Sequence, residues 1–199
     1  MYEYRKLTPE EQAEVVRIRR ARGYPLHAPP HPFKGEGYFP ITAANYEHAP
    51  IMHTPQRRTE FELALIQTFE SLGAGIEGWV VLPNHYHVLI YIDAFGTIAK
   101  GLQRLHGQSS FEWNLHDSTP GRKVWYEYSD RKIRNEAHYY ATLNYIHYNV
   151  VKHGYIAFPE QWLSSSVHLY LQDFGPEWLK AKWDAYPLKQ FGKGWDDSL

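Results

Sequence analysis

Residues 78–92 constrain the fold more than any other part of this sequence. Residues 78–82 form an apolar run, Pro83-Asn84 is typical of a turn, and residues 85–92 form a second run rich in β-branched and aromatic side chains. Two such runs joined by a short turn predict an antiparallel β-hairpin. The rest of the fold must therefore continue a sheet that contains this hairpin.

The segments around the hairpin alternate between strand and helix character. Pro40 indicates an edge or a bulge in the first strand, and Asn135 is a suitable N-cap for the last helix, which is expected to stop at Gly154. The order predicts an α+β fold, a ferredoxin-like antiparallel sheet with helices on one face. We expect strands at 38–46, 78–82, 85–92 and 124–133, and helices at 54–71, 94–114 and 135–152.

The two ends of the chain lie outside this pattern. Thr8-Pro9 followed by Glu11 predicts a capped helix over residues 8–22, and a Pro-rich stretch follows it. The tryptophan-rich C-terminal part indicates an appendage packed on the core, with a short helix at 177–183. The predicted domains are 1–37 (N-terminal helix and Pro-rich linker), 38–155 (central domain) and 156–199 (appendage).

Composition excludes several classes of protein. The 199 residues include no cysteine, so disulfides, thiolate metal sites and a cysteine nucleophile are excluded. No apolar run approaches the ~18 residues of a membrane span, and the first residues lack a signal-peptide core, so we expect a cytoplasmic protein without membrane contact. The net charge of −1 leaves room for a local basic groove, and the 16 tyrosines and 7 tryptophans suit either packing or base stacking.

His85-Tyr86-His87 is the sharpest local motif. Residues two apart on a strand point to the same face, so the two imidazoles project together, close enough to share one divalent ion. A pair of histidines on the strand surface, without a metal, is the alternative interpretation.

The second motif joins Tyr145 and Asn149 on the last predicted helix. They are four residues apart, so they lie on one face of the helix, one turn from each other. The amide oxygen of Asn149 is a hard ligand suited to Mg²⁺ or Mn²⁺, and the phenol of Tyr145 is a potential nucleophile toward phosphorus. The alternative is an amphipathic helix whose tyrosine belongs to the core.

Together the motifs resemble those of a known family. Residues 78–90 resemble the HUH strand hairpin of single-tyrosine transposases, where U is a bulky hydrophobic residue. Residues 145–154 resemble the nucleophile helix of the REP-associated tyrosine transposases, and Trp162-Leu163-Ser164-Ser165-Ser166 resembles their Trp-x-x-Ser-Ser element. The resemblance covers residues 38–168. It departs from the family at Val150, where the usual residue is proline, and valine would allow the helix to continue toward Gly154.

This resemblance implies an HUH fold for residues 38–155 and a specific chemistry. The family binds single-stranded DNA next to a hairpin, and its tyrosine forms a 5′-phosphotyrosine and leaves a 3′-OH, which allows strand transfer. Carried over by position, Tyr145 is the nucleophile, and His85, His87 and Asn149 hold Mg²⁺ or Mn²⁺. Family members act as monomers or homodimers.

Basic side chains near the motifs are candidate DNA contacts, although each could equally be a solvated charge. They flank the nucleophile helix or lie on the two earlier helices: Arg131, Lys132, Arg134, Lys152, His153, Arg57, Arg58 and Arg104.

Two other functions compete with the strand transferase. One is a domesticated hairpin- or single-strand-binding protein with weak or no catalysis, which the near-neutral charge and Val150 favour. The other is a metallohydrolase that uses the histidine pair and water, and its activity would survive the loss of Tyr145.

Overall fold

The computed structural model describes residues 36–93 and 95–188, together with 8–11, 13, 14, 17 and 191. The predicted N-terminal helix and linker thus lie mostly outside the described residues. Where it is described, the helix begins as predicted: Glu11 N–H donates to Thr8 Oγ1 at 3.3 Å, and Thr8 N–H donates to Glu11 Oε2 at 2.8 Å. No helix among the described residues is long and apolar enough to cross a membrane.

The described elements follow the predicted order. The sheet has the strand order β2-β3-β1-β4 with antiparallel neighbours, which is the ferredoxin-like arrangement. The elements are β1 (Gly37–Ala44), α1 (Pro55–Ser71), β2 (Gly75–Val81), β3 (His85–Ile92), α2 (Ile98–His116), β4 (Ser129–Asp130), α3 (Glu136–Lys152), α4 (Val167–Phe174) and α5 (Pro176–Ala185).

The strand predicted over 124–133 is wrong in its extent, because β4 has only two residues. Around β4 the chain touches β1 at separated points, where Tyr126 N–H donates to Ala44 O and Arg131 N–H donates to Pro40 O. Pro40 has no N–H to donate back, so the ladder is one bond short at that point. Two further differences lie in the appendage: α4 was not predicted, and α5 is longer than 177–183.

The two helices of the ferredoxin-like unit share one face of the sheet, as predicted. Alternate residues of β1 and β3, among them Ile41 and Val88, pack there against α1 and α2. The prediction that the helices lie on one face does not extend to α3, which covers the opposite face. There Leu143, Ile146 and Val150 of α3 pack on Val80 of β2, Leu89 of β3 and Leu82 of the turn between these strands.

The Trp-x-x-Ser-Ser segment (162–166) closes the outer edge of β2. Val81 N–H donates to Ser164 O at 2.9 Å, and Ser166 N–H donates to Trp79 O at 3.0 Å. In addition, Trp79 N–H donates to Ser166 Oγ, and the Trp162 indole N–H donates to Val81 O. All four backbone groups of residues 79 and 81 on this edge therefore have partners.

Gly78 of β2 sits where this segment and α3 approach the sheet most closely. A Cβ at Gly78 would lie 2.6 Å from Leu143 Cδ1 and 3.3 Å from Ser166 Oγ. At Gly75, in the same strand, a Cβ would meet Tyr91 Cβ at an ordinary 3.7 Å.

We expect Gly78→Ala to lower the free energy of unfolding by roughly 1–3 kcal/mol, because the added methyl group overpacks the α3 interface. Gly75→Ala is the matched control and should change it by less than ~0.5 kcal/mol. Urea denaturation of the two variants beside the parent measures the difference. Equal stability of the two variants would contradict the close packing at Gly78.

His106 of α2 is half-buried on the other side of the sheet. Its Nε2 lies 3.0 Å from the Tyr86 hydroxyl, and its ring stacks on Trp125 with centroids 4.6 Å apart. Burial lowers the pKa of His106 to about 4. The unfolded chain therefore binds more protons than the folded protein between about pH 4 and about pH 6.5, and stability falls as the pH drops through this window.

His106→Gln should remove this part of the acid sensitivity. Between about pH 7 and about pH 5 we expect the unfolding free energy of the parent to fall by roughly 1–2 kcal/mol more than that of the variant. Urea unfolding at both pH values checks this, with His53→Gln, which replaces an exposed histidine, as the control. A pH dependence unchanged in His106→Gln would show that His106 is not held neutral.

Candidate metal and nucleophile site

The β3 strand places His85 and His87 on the face that α3 covers. Their neighbours Tyr86 and Val88 point into the opposite layer, as strand alternation requires. The two imidazole rings meet edge to face, with centroids 5.0 Å apart, and both residues are buried, with 1% and 3% exposure. The prediction that the two histidines project together is confirmed.

An oxygen atom of the protein engages the Nδ1 atom of each imidazole. Asn84 Oδ1 lies 2.7 Å from His85 Nδ1, and Thr42 Oγ1 lies 2.6 Å from His87 Nδ1. Thr42 reaches His87 because the two residues are register partners in β1 and β3. Sequence reasoning missed both Asn84 and Thr42. Pro83-Asn84 indicated only a turn, and the register between β1 and β3, which sets Thr42 opposite His87, could not be inferred from local patterns.

Helix α3 brings the second motif to the histidines. It begins at the predicted N-cap, where Asn135 Oδ1 accepts a hydrogen bond from His138 N–H at 2.9 Å. Val150 continues the helix and is fully buried, and the helix ends at Lys152, before Gly154 with φ of 71°. The predicted helix and its stop are both confirmed.

Asn149 and His85 meet across the interface between α3 and the sheet. Asn149 Oδ1 lies 3.0 Å from His85 Nε2, and both residues are almost fully buried. Two ligand atoms bound side by side to an octahedral ion, each at about 2.1 Å, lie about 3.0 Å apart. The separation of these two atoms therefore fits a shared ion.

The donor set is two imidazoles and one amide oxygen. Among the described residues no group of three or more His, Asp or Glu side chains is arranged to hold an ion, so a metal site here would need Asn149 as its third donor. Imidazole nitrogen with hard oxygen donors suits Mg²⁺ or Mn²⁺ when substrate oxygens complete the shell.

Tyr145 lies one turn before Asn149, against the histidine pair. Its ring meets the His87 ring edge to face at 5.2 Å, and Lys152 Nζ lies 5.1 Å from the centre of the tyrosine ring. On another side the Phe191 ring lies 6.1 Å away. Tyr145 is only 1% exposed, so a phosphodiester does not reach its hydroxyl in this conformation.

His153 is a further neighbour of the site. It caps the C-terminus of α3, and its ring lies 5.1 Å from the His85 ring. Its position just after the helix predicts a DNA contact. Its spacing of four residues from Asn149 would have indicated a place on the same helix face.

His147 connects α3 to the Trp-x-x-Ser-Ser segment. Its Nε2 lies 3.1 Å from Ser166 Oγ in the buried interior, and burial lowers the pKa of His147 to about 3. Ser166 is the same residue that pairs with Trp79 at the β2 edge, so a neutral imidazole links α3 to that edge.

The basic residues around α3 differ in their surroundings. Arg131 and Arg134 are exposed just before the helix, and Lys152 is exposed at its end, next to Tyr145. Lys132 is partly buried, with its Nζ 5.9 Å from the centre of the Phe39 ring. Arg104 is exposed on α2, in the layer on the other side of the sheet from the histidines.

Arg57 and Arg58 are engaged within the protein. Arg57 donates to both carboxylate oxygens of Asp117, at 2.6 and 3.0 Å, and this bonding holds the pKa of Asp117 well below its usual range. Arg58 donates to backbone carbonyls and lies over the Trp162 ring at 4.5 Å. Both side chains are buried, so neither guanidinium is exposed to make the predicted DNA contact.

A solved structure of a transposase shares the fold of this chain. The structure of the REP-associated tyrosine transposase bound to a REP hairpin superposes with a TM-score of 0.58 and 19% identity over 73% of this chain and 86% of that one. A candidate transposase from Deinococcus radiodurans R1 superposes with a TM-score of 0.42 and 11% identity over 64% and 94%. No protein-family model and no curated protein matches the sequence. The chain thus has the α+β fold of a tyrosine transposase, in agreement with its motifs.

Arg57→Leu should lower the free energy of unfolding by about 2–3 kcal/mol, because it leaves the Asp117 carboxylate without its bidentate partner. Arg104→Leu removes an exposed arginine from α2 and should cost less than ~0.5 kcal/mol. Urea denaturation measures both variants. A loss for Arg57→Leu no larger than that of Arg104→Leu would contradict a structural role for Arg57.

Proposed function

We propose that this protein is a metal-dependent enzyme that nicks single-stranded DNA beside a hairpin and transfers the strand through a 5′-phosphotyrosine. His85, His87 and Asn149 would hold Mg²⁺ or Mn²⁺, and Tyr145 would be the nucleophile. The proposal combines the motif resemblance with the fold shared with the transposase.

The convergence of two distant motifs carries the proposal. His85 and Asn149 are 64 residues apart in sequence, yet their side chains approach to 3.0 Å. Tyr145, one helical turn earlier, packs on the second histidine at 5.2 Å between ring centroids. A core tyrosine alone would not need a buried His-His-Asn set beside it, because burying polar groups costs stability.

The proposed reaction consists of two successive transfers of the DNA phosphate. In the first, Tyr145 Oη bonds to phosphorus as the P–O3′ bond breaks, the phenol loses its proton, and the 3′ oxygen leaves as a hydroxyl. In the second, a 3′-OH attacks the same phosphorus and regenerates the phenol, so no external energy source is consumed. A divalent ion, when bound, would offset the charge that develops on the phosphate oxygens.

The exposed cations at the two ends of α3 support a path for the DNA strand. Arg131 and Arg134 precede the helix, and Lys152 follows it beside Tyr145. The helix has 17 residues and is therefore about 25 Å long, enough to accompany several nucleotides. A local basic tract of this kind is compatible with the net charge of −1.

A hairpin-binding protein with weak or no catalysis is the second candidate function. The burial of Tyr145 favours it, because the described conformation does not offer the hydroxyl to a phosphate. The two candidates share the DNA partner and differ in the covalent step.

The decisive test is covalent capture of DNA. Fluorescent single-stranded DNA from hairpins that flank the gene is incubated with the protein and Mn²⁺, then run on a denaturing protein gel. We expect a slow-migrating adduct in the parent, at least 100-fold less in Tyr145→Phe because the attacking oxygen is gone, and strong loss in His87→Ala. Tyr148→Phe is the matched control, since Tyr148 lies on the same helix but packs on Trp183.

The possible results separate the candidates. Equal adduct from Tyr145→Phe would exclude Tyr145 as nucleophile. Binding without an adduct in Mg²⁺ and Mn²⁺ would favour the hairpin-binding protein, whereas cleavage without an adduct that survives Tyr145→Phe would favour the metallohydrolase.

A further inference from the structure

We infer that Asn84 is a positioning residue that holds His85 in the tautomer with the proton on Nδ1, so that Nε2 presents its lone pair to the ion. This inference rests on the proposed function, because it deepens the account of that metal site. It adds a specific role for a residue that neither binds the ion nor reacts.

The side-chain amide of Asn84 has a defined orientation. Its Nδ2 donates to His48 O at 3.3 Å, which turns Oδ1 toward His85 Nδ1 at 2.7 Å. The opposite orientation would set the Asn84 oxygen against the His48 carbonyl, two acceptors in contact. The main chain is fixed as well, because Asn84 O accepts from Asn45 N–H at 2.7 Å.

This orientation determines the tautomer of His85. An amide oxygen carries no hydrogen, so the hydrogen bond to Asn84 requires that His85 Nδ1 be the donor. In the neutral imidazole, Nε2 is then the atom with the lone pair, and it lies 3.0 Å from Asn149 Oδ1. Two lone pairs at this distance repel each other unless a metal ion or a proton lies between them. A divalent ion at this place would therefore replace the hydrogen bond between these two atoms.

The turn that supplies the His48 carbonyl is built at a conformational cost. Glu47 and His48 have φ of 53° and 52°, in the left-handed region, which is sterically unfavourable for residues other than glycine. The turn is held to the hairpin by the bond from Asn45 and by Met52 N–H, which donates to Pro83 O at 2.8 Å. These bonds keep the His48 carbonyl where the Asn84 amide needs it.

The hydrogen-bond partner of His87 does not determine which ring nitrogen carries the proton. Its Nδ1 contacts the hydroxyl of Thr42 at 2.6 Å, and a hydroxyl can donate or accept. Thr42 thus orients the ring without specifying the tautomer, whereas Asn84 does both. Removing a hydrogen-bond partner of a metal-binding histidine typically weakens metal affinity by ~10- to 100-fold.

The first measurement needs no variant at the inferred residue. Metal-free parent protein labelled with ¹⁵N-histidine is studied by long-range ¹H–¹⁵N correlation NMR, and His85 is assigned by the signals lost in His85→Gln. We expect the pattern of an imidazole whose Nδ1 carries a proton. A His85 protonated mainly at Nε2 would overturn the inference.

The second measurement is Mn²⁺ affinity, read from the EPR signal of unbound Mn²⁺ in the absence of DNA. We expect Asn84→Ala to weaken binding by ~10- to 100-fold and Asn84→Asp to retain the affinity within severalfold, because an oxygen still faces Nδ1. Asn114→Ala is the control, since Asn114 lies on α2, away from the histidines, and bonds to Arg122 in the loop that follows. Circular dichroism checks that each variant is folded.

The outcomes are distinct from those of the DNA assay. An Asn84→Ala protein that binds Mn²⁺ within twofold of the parent would overturn the inference, and so would a parent that binds no Mn²⁺. Failure of the parent to form a Tyr145 adduct while the tautomer and Mn²⁺ results hold would instead overturn strand transfer and leave the role of Asn84 intact.

Discussion

The packing of α3 across the sheet is the interaction on which the site depends. Leu143, Ile146 and Val150 form an apolar stripe at helical spacing, and each is at most 1% exposed against β2 and β3. Burying a side chain of this size contributes roughly 1.5–3 kcal/mol. Because Tyr145 and Asn149 flank this stripe, seating it on the sheet also sets their distances from the histidines. The same apolar contact therefore stabilises the fold and assembles the site.

Much of the fold follows from local sequence patterns. The hairpin, the three long helices and the ferredoxin-like order were predicted because each has strong periodicity and recognisable end signals, such as the cap at Asn135. The short β4 was not, because the segment has strand-forming residues and its pairing is limited by Pro40 on the neighbouring strand. The side of the sheet that α3 covers also depends on tertiary packing.

The candidate site, too, could be predicted from local patterns only in part. The residues with motif spacing, His85 and His87 or Tyr145 and Asn149, could be paired within each element from periodicity alone. Their meeting across the sheet required either the family resemblance or coordinates. Asn84 and Thr42 were missed because each acts through a partner whose position depends on the turn at residues 45–48 or on strand register. Conversely, Arg57 and Arg58 looked like phosphate ligands because sequence does not reveal their buried partners.

The segment that closes the edge of β2 has a consequence for assembly. An unpaired strand edge is a template on which another chain can add a strand, and proteins usually protect it. Here Ser164, Ser166 and the Trp162 indole already occupy the outward N–H and C=O groups of residues 79 and 81. Two copies of this chain therefore cannot join by continuing the sheet across β2 unless residues 162–166 first leave it. Because Ser166 also contacts His147 on α3, such an exchange of strands would disturb the helix that carries Tyr145 and Asn149.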